Sequence, residues 1–253
     1  MNAIKGRLNG RTVLIVGGTG TIGCAITRMV SRRGARVVTL SRRKKRGPQP
    51  RNGTHIPCDI TDAAALEAAF RQLQKVRPPL RAIVNCAGYN IVRQADRYSP
   101  AELHRIIDVN LYGCMLVARF AVPLLKRGGR GRIINIASQA ALDSQANNTA
   151  YSAAKAGVVA FSLGLARELA PHEISVLTVC PGDIDSPMMD RAIKSFSTPQ
   201  MSDSFRQKLY ERIPAGRFGT PAEIAEVVTQ LLLIQTPFLT GATIVAAGGR
   251  TCH

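Results

Sequence analysis

The chain has 253 residues and a mass of 27.2 kDa, enough to bury a core without disulfides or a metal ion. Hydrophobic residues make up 45% and charged residues 20%, which excludes a disordered or low-complexity protein. The net charge of +18 is extreme, because residues 1–58 hold 13 Lys or Arg and no acid. A nucleic acid, a phosphorylated cofactor or an acidic carrier protein would suit such a charge, and so would a merely solvated basic surface.

Apolar runs typical of strands alternate along the chain with segments of helical period. The predicted strands are 12–16, 36–40, 82–85, 132–137, 174–180 and 242–245, and the predicted helices are 20–31, 63–76, two stretches within 100–125, 150–170 and 221–233. Apolar strands separated by helices predict an α/β, doubly wound Rossmann fold, a parallel sheet with helices on both faces. We expect one domain over 1–253, with a cofactor half to about 110, a catalytic and substrate half from 111, and a lid at about 183–220.

The six cysteines form no C-x-x-C pair, so the sequence predicts reduced, mostly buried thiols and neither a disulfide framework nor a metal site. No apolar run approaches the roughly 18 residues of a membrane span, and the first residues do not resemble a signal peptide. We therefore expect a soluble cytoplasmic protein with no membrane partner.

A glycine-rich loop, Gly17 to Gly23, lies between the first predicted strand and the first predicted helix. In that context glycines allow a tight turn, and the helix N-terminus offers unpaired N–H groups to a pyrophosphate. The alternative is a glycine turn without a ligand.

The second predicted strand ends in Ser41, Arg42 and Arg43, followed by Lys44 to Arg46. An NAD site often has a carboxylate here for the ribose 2′-OH, whereas a hydroxyl followed by cations suits a 2′-phosphate. The sequence thus favours NADPH over NADH, with Arg42 as the main phosphate ligand. Lys44 to Arg46 could equally be a solvated loop.

Tyr151 and Lys155 are four residues apart, which in a helix puts the phenol and the ammonium on one face. A nearby cation favours the phenolate, so we expect a lowered Tyr151 pKa; lowering it by about 2–3 takes roughly 3–4 kcal/mol, which the lysine and an oxidised nicotinamide could supply. Ser138 ends a predicted strand, where its hydroxyl could hold a substrate carbonyl oxygen. Taken alone, the Tyr–Lys pair could also be an exposed helix pair.

With these motifs in order from Arg11 to Gly249, the chain resembles the compact short-chain dehydrogenases/reductases, and most closely their 3-oxoacyl-[acyl-carrier-protein] reductase branch. The resemblance implies a catalytic tetrad in which Tyr151 is the general acid–base and Ser138 orients the carbonyl. Lys155 would bind the nicotinamide ribose and lower the Tyr151 pKa, and Asn110 would hold a water of a proton relay. Glycine loop, charge and resemblance together predict the cofactor residues Gly17, Thr19, Gly20, Thr21, Ile22, Gly23, Ser41, Arg42, Arg43, Asp59, Ile60, Asn85, Ala87, Gly88, Tyr151, Lys155, Pro181, Gly182, Ile184 and Ser186.

Two positions depart from the family's glycine pattern. Val16 replaces a threonine, and Thr21 replaces the middle glycine, which puts a Cβ near the pyrophosphate. Gly20, one place earlier, is expected to supply the flexibility, so cofactor binding should be weaker or shifted rather than lost. The resemblance also implies a homotetramer, or a homodimer, with a face built from helices 112–127 and 150–170.

The substrate is the least determined feature. The resemblance implies a 3-oxoacyl thioester on an acidic acyl carrier protein that docks at the basic turn 126–132, although His172 replaces the branch's second docking arginine. The predicted pocket residues Gln139, Gln145, Asn148, Asp183 and Met188 are mostly polar, which could instead favour a sugar, a hydroxylated ketone or a polyketide-like intermediate. Three hypotheses follow: an NADPH-dependent reductase of 3-oxoacyl thioesters, an NADP-dependent dehydrogenase or reductase of a free ketone or alcohol, and a non-enzymatic nucleic-acid-binding protein. The last lacks a binding motif and, with 5% aromatic residues and no Trp, offers few stacking platforms.

Overall fold

The computed structural model describes residues 8–42, 53–196 and 202–250. Within them, seven strands form one parallel sheet: β1 (Thr12–Val16), β2 (Arg36–Ser41), β3 (Thr54–Pro57), β4 (Leu80–Asn85), β5 (Gly131–Ile136), β6 (Ile174–Pro181) and β7 (Thr243–Ala246). The strand order β3-β2-β1-β4-β5-β6-β7 reverses direction between β1 and β4. Such a reversal opens a crevice at the carboxyl ends of the strands, where ligands of doubly wound sheets bind. The predicted fold is confirmed.

The strand register brings the ends of the central strands level with one another. Val16 is paired with Leu40 of β2 and with Asn85 of β4, and Asn85 is in turn paired with Asn135 of β5. The loops that follow these strands therefore leave the sheet at one edge. Residues far apart in sequence meet there, around the crevice.

Eight helices surround the sheet in the described part of the chain: α1 (Thr21–Arg32), α2 (Ala63–Gln74), α3 (Pro100–Ile107), α4 (Gly113–Gly128), α5 (Thr149–Leu169), α6 (Pro187–Phe196), α7 (Ser202–Glu211) and α8 (Pro221–Leu233). One face of the sheet packs against α1 and α8 through residues such as Ile26 and Val228. The other face packs against α2, α4 and α5 through Phe70, Leu125 and Leu165. Burying both faces explains why the strand sequences are almost continuously apolar.

The structure adds three elements that the sequence pattern did not predict. β3 joins the edge of the sheet beside β2, and its four residues are too few for a clear pattern. The expected aperiodic lid contains α6 and α7. Helix α6 begins at Pro187, where the Ser186 hydroxyl accepts a hydrogen bond from the Met189 N–H at 3.2 Å, an N-cap typical of helix starts.

The helical stretch Pro100–Gly128 is long and apolar enough to cross a membrane by length and composition alone, contrary to the sequence expectation. A π-helical turn, Asp108–Tyr112, interrupts it between α3 and α4. One side of α4 also packs into the core against the sheet through Leu116, Val117 and Leu125. A core helix of a soluble protein passes the same test, so the stretch is weak evidence for a membrane span.

Candidate active site

A cavity of about 800 Å³ opens at the carboxyl ends of the strands. Most of the predicted site residues line it, namely Gly17, Thr19, Gly20, Thr21, Ile22, Gly23, Ser41, Arg42, Asp59, Ile60, Ala87, Gly88, Ser138, Gln139, Gln145, Asn148, Tyr151, Lys155, Pro181, Gly182, Asp183, Ile184, Ser186 and Met188. Asn85 and Asn110 are buried behind its wall. Arg43 lies outside the described residues.

The glycine loop forms a cradle that side chains could not enter. Gly17 has a φ of +77°, and a Cβ on it would lie 2.7 Å from the backbone nitrogen of Ala87. A Cβ on Gly23 would overlap the carbonyl oxygen of Gly17 and lie 3.0 Å from the sulfur of Cys86. This close approach keeps the N-terminus of α1 open toward the cavity, so the cradle fits a dinucleotide pyrophosphate.

Gly20 does not have the role expected of it. Its φ of −76° is accessible to any residue, so the loop does not use the conformational freedom of glycine there. The positive φ is at Gly17 instead, and Thr21 begins α1 with its side chain exposed at the cavity.

The end of β2 carries the groups predicted to read the cofactor's ribose. The Thr19 hydroxyl donates a hydrogen bond to the Ser41 hydroxyl at 2.9 Å, which ties the glycine loop to this strand. The Arg42 guanidinium lies 4.0 Å from an oxygen of Asp59, with its side chain 55% exposed. An exposed pair of this kind contributes at most about 1 kcal/mol. Arg42 therefore remains available for a phosphate.

The predicted catalytic side chains converge on the other half of the cavity. Tyr151 lies in the first turn of α5 and lines the cavity together with Ser138, which follows β5. Lys155, one turn after Tyr151, donates a hydrogen bond to the carbonyl oxygen of Ile136 at 2.9 Å. Its Nζ lies 5.7 Å from the centre of the Tyr151 ring. The phenol, hydroxyl and ammonium groups thus face one space.

Burial dominates the protonation of this cluster. It raises the pKa of Tyr151 to about 12, and the hydrogen bond with Ser138 offsets this only in part. Burial also lowers the pKa of Lys155 to about 8. In the protein alone, burial therefore raises the Tyr151 pKa, whereas the sequence predicted that Lys155 would lower it.

Asn110 lies in the π-helical turn, a distortion that often marks functional sites. Its Nδ2 donates to the carbonyl oxygens of Tyr89 at 2.7 Å and Ile106 at 2.8 Å, and its Oδ1 accepts from the Tyr89 N–H at 3.2 Å. The amide thereby anchors the loop after β4 to the π-helical turn and the end of α3. Asn110 supports the cavity wall from behind, next to Gly88 and Lys155.

The structure adds a cavity feature that sequence analysis missed. Asp183 forms an ion pair with Arg250, and its other oxygen accepts a hydrogen bond from Gln139 at 3.2 Å. Burial raises the pKa of Asp183, and the nearby Arg250 counteracts this. A carboxylate that follows a buried strand needs a cation nearby, so Asp183 itself was a signal in the sequence. The sequence could not identify the cation, because Arg250 is 67 residues away along the chain.

Two helices of the lid are joined by one arginine. Arg206 of α7 lies 2.6 Å from an oxygen of Asp190 in α6 and 3.6 Å from an oxygen of Asp185. Its guanidinium also packs over the ring of Phe218 at 5.4 Å. These contacts hold Met188 and Arg191 along the cavity. Among the described residues, no group of three or more His, Cys, Asp or Glu side chains is arranged to hold a metal ion.

Fold, cradle and Ser–Tyr–Lys cluster are those of a pyridine-nucleotide-dependent oxidoreductase. The family model described as enoyl-(acyl carrier protein) reductase matches residues 17–251, and the chain belongs to the short-chain dehydrogenase/reductase family. It is an NAD(P)-dependent oxidoreductase that acts on CH–OH groups or the corresponding ketones. The hypothesis of a non-enzymatic nucleic-acid-binding protein is therefore wrong.

Several known proteins are similar over nearly the whole chain. The 3-oxoacyl-[acyl-carrier-protein] reductase MabA of Mycobacterium tuberculosis is 32% identical over 239 residues, covering 94% of this chain and 92% of the relative. Carbonyl reductase family member 4 of Danio rerio is 31% identical over 245 residues, covering 94% and 97%. The ligand-free structure of the aldohexose dehydrogenase of Thermoplasma acidophilum superimposes with a TM-score of 0.89 at 29% identity, covering 96% and 95%.

Proposed function

We propose that the protein is an NADPH-dependent reductase that converts a ketone to a secondary alcohol, with Tyr151 as the general acid. The observation that carries this proposal is that Ser138, Tyr151 and Lys155 line one cavity, with the Lys155 Nζ 5.7 Å from the centre of the Tyr151 ring. When bound, the nicotinamide cofactor supplies the hydride. The Ser138 hydroxyl and the Tyr151 phenol hold the carbonyl oxygen, and Tyr151 donates the proton to it.

Tyr151 is protonated at neutral pH, which is the state that a general acid needs for ketone reduction. A pKa of about 12 also makes the phenol a weaker acid than in water, so proton donation depends on groups that stabilise the phenolate. Lys155, with its pKa lowered to about 8, is largely charged at neutral pH. Its position one helical turn away then favours the phenolate that forms when Tyr151 has lost its proton.

The preference for NADPH is supported by the end of β2. Arg42 is exposed at the cavity and only weakly paired with Asp59, so its guanidinium can bind a 2′-phosphate through charge-assisted hydrogen bonds. The acid expected in an NAD site is absent from β2 itself, which ends in Ser41. We propose that Arg42 discriminates between the two cofactors.

The first candidate substrate is a 3-oxoacyl thioester on an acidic acyl carrier protein. Reductases of this kind are among the relatives at 29–32% identity over nearly the full chain. The charge of +18 favours encounter with an acidic partner, and Lys126, Arg127 and Arg130 are exposed where α4 ends.

The second candidate is a free ketone that carries hydroxyl groups. The polar side chains of Gln139, Gln145, Asn148 and Asp183 around the cavity favour it. The structural similarity to an aldohexose dehydrogenase is consistent with such a substrate.

The test is the rate of NADPH oxidation with an acetoacetyl thioester, on carrier protein and on coenzyme A, against a panel of free ketones. Fast turnover on the carrier that is lost at high salt supports the first candidate, and turnover with free ketones alone supports the second. Tyr151→Phe should abolish turnover with every substrate while leaving the NADPH dissociation constant within about threefold. Retained activity in this variant would contradict the proposed role of Tyr151.

We further propose a cytoplasmic homotetramer or homodimer. Met115 of α4 and Leu163 of α5 are both more than a third exposed, which supports a subunit interface on these helices. Light scattering of the purified protein measures the assembly, and a monomer at micromolar concentration would contradict it.

A further inference from the structure

Gln139 is the most buried of the predicted substrate-pocket residues. It immediately follows Ser138, lines the same cavity, and is only 2% exposed. Its Nε2 donates a hydrogen bond to Oδ1 of Asp183 at 3.2 Å. One end of the amide is therefore held, which determines the direction of the other end.

The group that holds Gln139 is itself held by a buried ion pair. Oδ2 of Asp183 pairs with Nη1 of Arg250, and the two side chains are 14% and 7% exposed. A buried carboxylate without its cation would be strongly destabilising, so the pair has one favoured arrangement. Arg250, Asp183 and Gln139 thus form a continuous chain of polar contacts that ends at the cavity.

The far end of that chain is an unsatisfied acceptor. Among the residues that the structure describes, Oε1 of Gln139 has no hydrogen-bond partner, and it lies beside Gly182, where an added Cβ would be 3.3 Å from it. A buried acceptor left without a donor costs about 1–3 kcal/mol. Oδ1 of Asn148, which lines the same cavity, is also buried and has no hydrogen-bond partner in the described part of the chain. A cavity wall with these two acceptor oxygens favours a ligand that has hydrogen-bond donor groups.

We propose that Gln139, oriented by Asp183 and Arg250, is a specificity-determining residue that accepts a hydrogen bond from a hydroxyl group beside the reacting carbonyl of the substrate. Gln139 and Ser138 are consecutive residues that line the same cavity, so one substrate can contact both. An acceptor beside the carbonyl-binding serine reaches a group on the neighbouring carbon. The substrate class is an α-hydroxy ketone, either free or as the acyl chain of a thioester.

The inference rests on the proposed reductase activity and is tested with isosteric substrate pairs. Hydroxyacetone and butanone differ only by a hydroxyl in place of a methyl group, and the 4-hydroxy-3-oxobutanoyl and 3-oxopentanoyl thioesters of coenzyme A form the corresponding bound pair. We expect the protein to prefer the hydroxylated member of at least one pair by about 10- to 100-fold in kcat/KM. The pair that shows the preference distinguishes a free from a thioester-bound substrate.

Gln139→Met keeps the length of the side chain but removes the amide oxygen that accepts the hydrogen bond. It should bring the ratio of kcat/KM for the hydroxylated and the methyl-bearing substrate close to one. The KM for NADPH should stay within about twofold. The matched control is Gln72→Met on the exposed face of α2, which should keep the wild-type ratio. A rise in the KM for NADPH with an unchanged substrate ratio would overturn the proposal, since Gln139 would then serve the cofactor.

The positioning role of the ion pair is tested separately. The double variant Asp183→Leu/Arg250→Met removes both buried charges together, so it avoids leaving one unpaired. This double variant should lose the kcat/KM preference for the hydroxylated substrate although Gln139 is intact. Arg250→Lys keeps a positive charge beside Asp183 and should retain a measurable part of that preference. A wild-type ratio in the folded double variant would contradict the positioning role. Absence of ketone reduction in the wild-type protein would instead contradict the proposed function, and equal rates on both members of each pair would contradict this inference alone.

Discussion

Replacing Gly23 by alanine tests whether the glycine cradle is built as the structure indicates. The new Cβ would overlap the carbonyl oxygen of Gly17, and its distance to the carbonyl carbon of that residue would be 2.9 Å. Both are backbone atoms, so the collision can be relieved only by moving α1 away from the loop. That movement would also disturb the hydrogen bond from the Gly20 N–H to Gly17 O, at 2.9 Å.

The expected magnitude follows from two opposing effects. Overpacking against backbone should lower the free energy of unfolding by about 3 kcal/mol, whereas alanine in place of glycine inside a helix should raise it by about 1 kcal/mol. The net loss of about 2 kcal/mol should lower the melting temperature by about 4–8 °C for a chain of this size. The NADPH dissociation constant, measured by fluorescence titration, should rise by more than tenfold because the cradle widens.

Gly164→Ala is the matched control. Gly164 lies inside α5, and a Cβ there would meet nothing within 4 Å. Calorimetry should find this variant as stable as the wild type or more stable by up to about 1 kcal/mol. If Gly23→Ala behaved in the same way and bound NADPH normally, the close approach of α1 to the loop would be refuted.

Three further changes are expected to have distinct effects. Arg42→Ala should raise the NADPH dissociation constant by more than tenfold and that for NADH by less than threefold; equal effects in parallel titrations would mean that Arg42 does not read the 2′-phosphate. Asn110→Leu removes three hydrogen bonds to backbone groups and should cost about 3 kcal/mol, so an unchanged urea midpoint would count against that anchor. Raising the pH from 9 to 10.5 should lower the urea midpoint, because burial raises the pKa values of Cys86 to about 12 and Cys114 to about 11 from 9.0, and the unfolded thiols lose protons that the folded ones keep. Lys155, with a pKa of about 8, opposes this by only one proton, so a rising midpoint would contradict the burial of the thiols.

The elements with strong local signals were predictable from the chain alone. The run from Thr12 to Val16 has the continuous apolar character of a doubly buried strand, and Pro221 at the start of α8 is a local helix signal. Local signals were weak where the prediction failed. β3 has four residues, and α7 has few apolar residues and is joined to α6 and Phe218 by Arg206.

The sequence by itself determined the doubly wound fold, the glycine loop and the spacing of Ser138, Tyr151 and Lys155, because each depends on residues close together in the chain or on strand ends that a parallel sheet must align. Only the tertiary structure decided how those groups are solvated. Burial raises the pKa of Tyr151, although the nearby Lys155 predicted the opposite. Only the tertiary structure, likewise, brought Arg250 to Asp183 and left one end of Gln139 without a partner among the residues that it describes. Desolvation and long-range pairing depend on which atoms surround a group in space, and this information is absent from the order of residues along the chain.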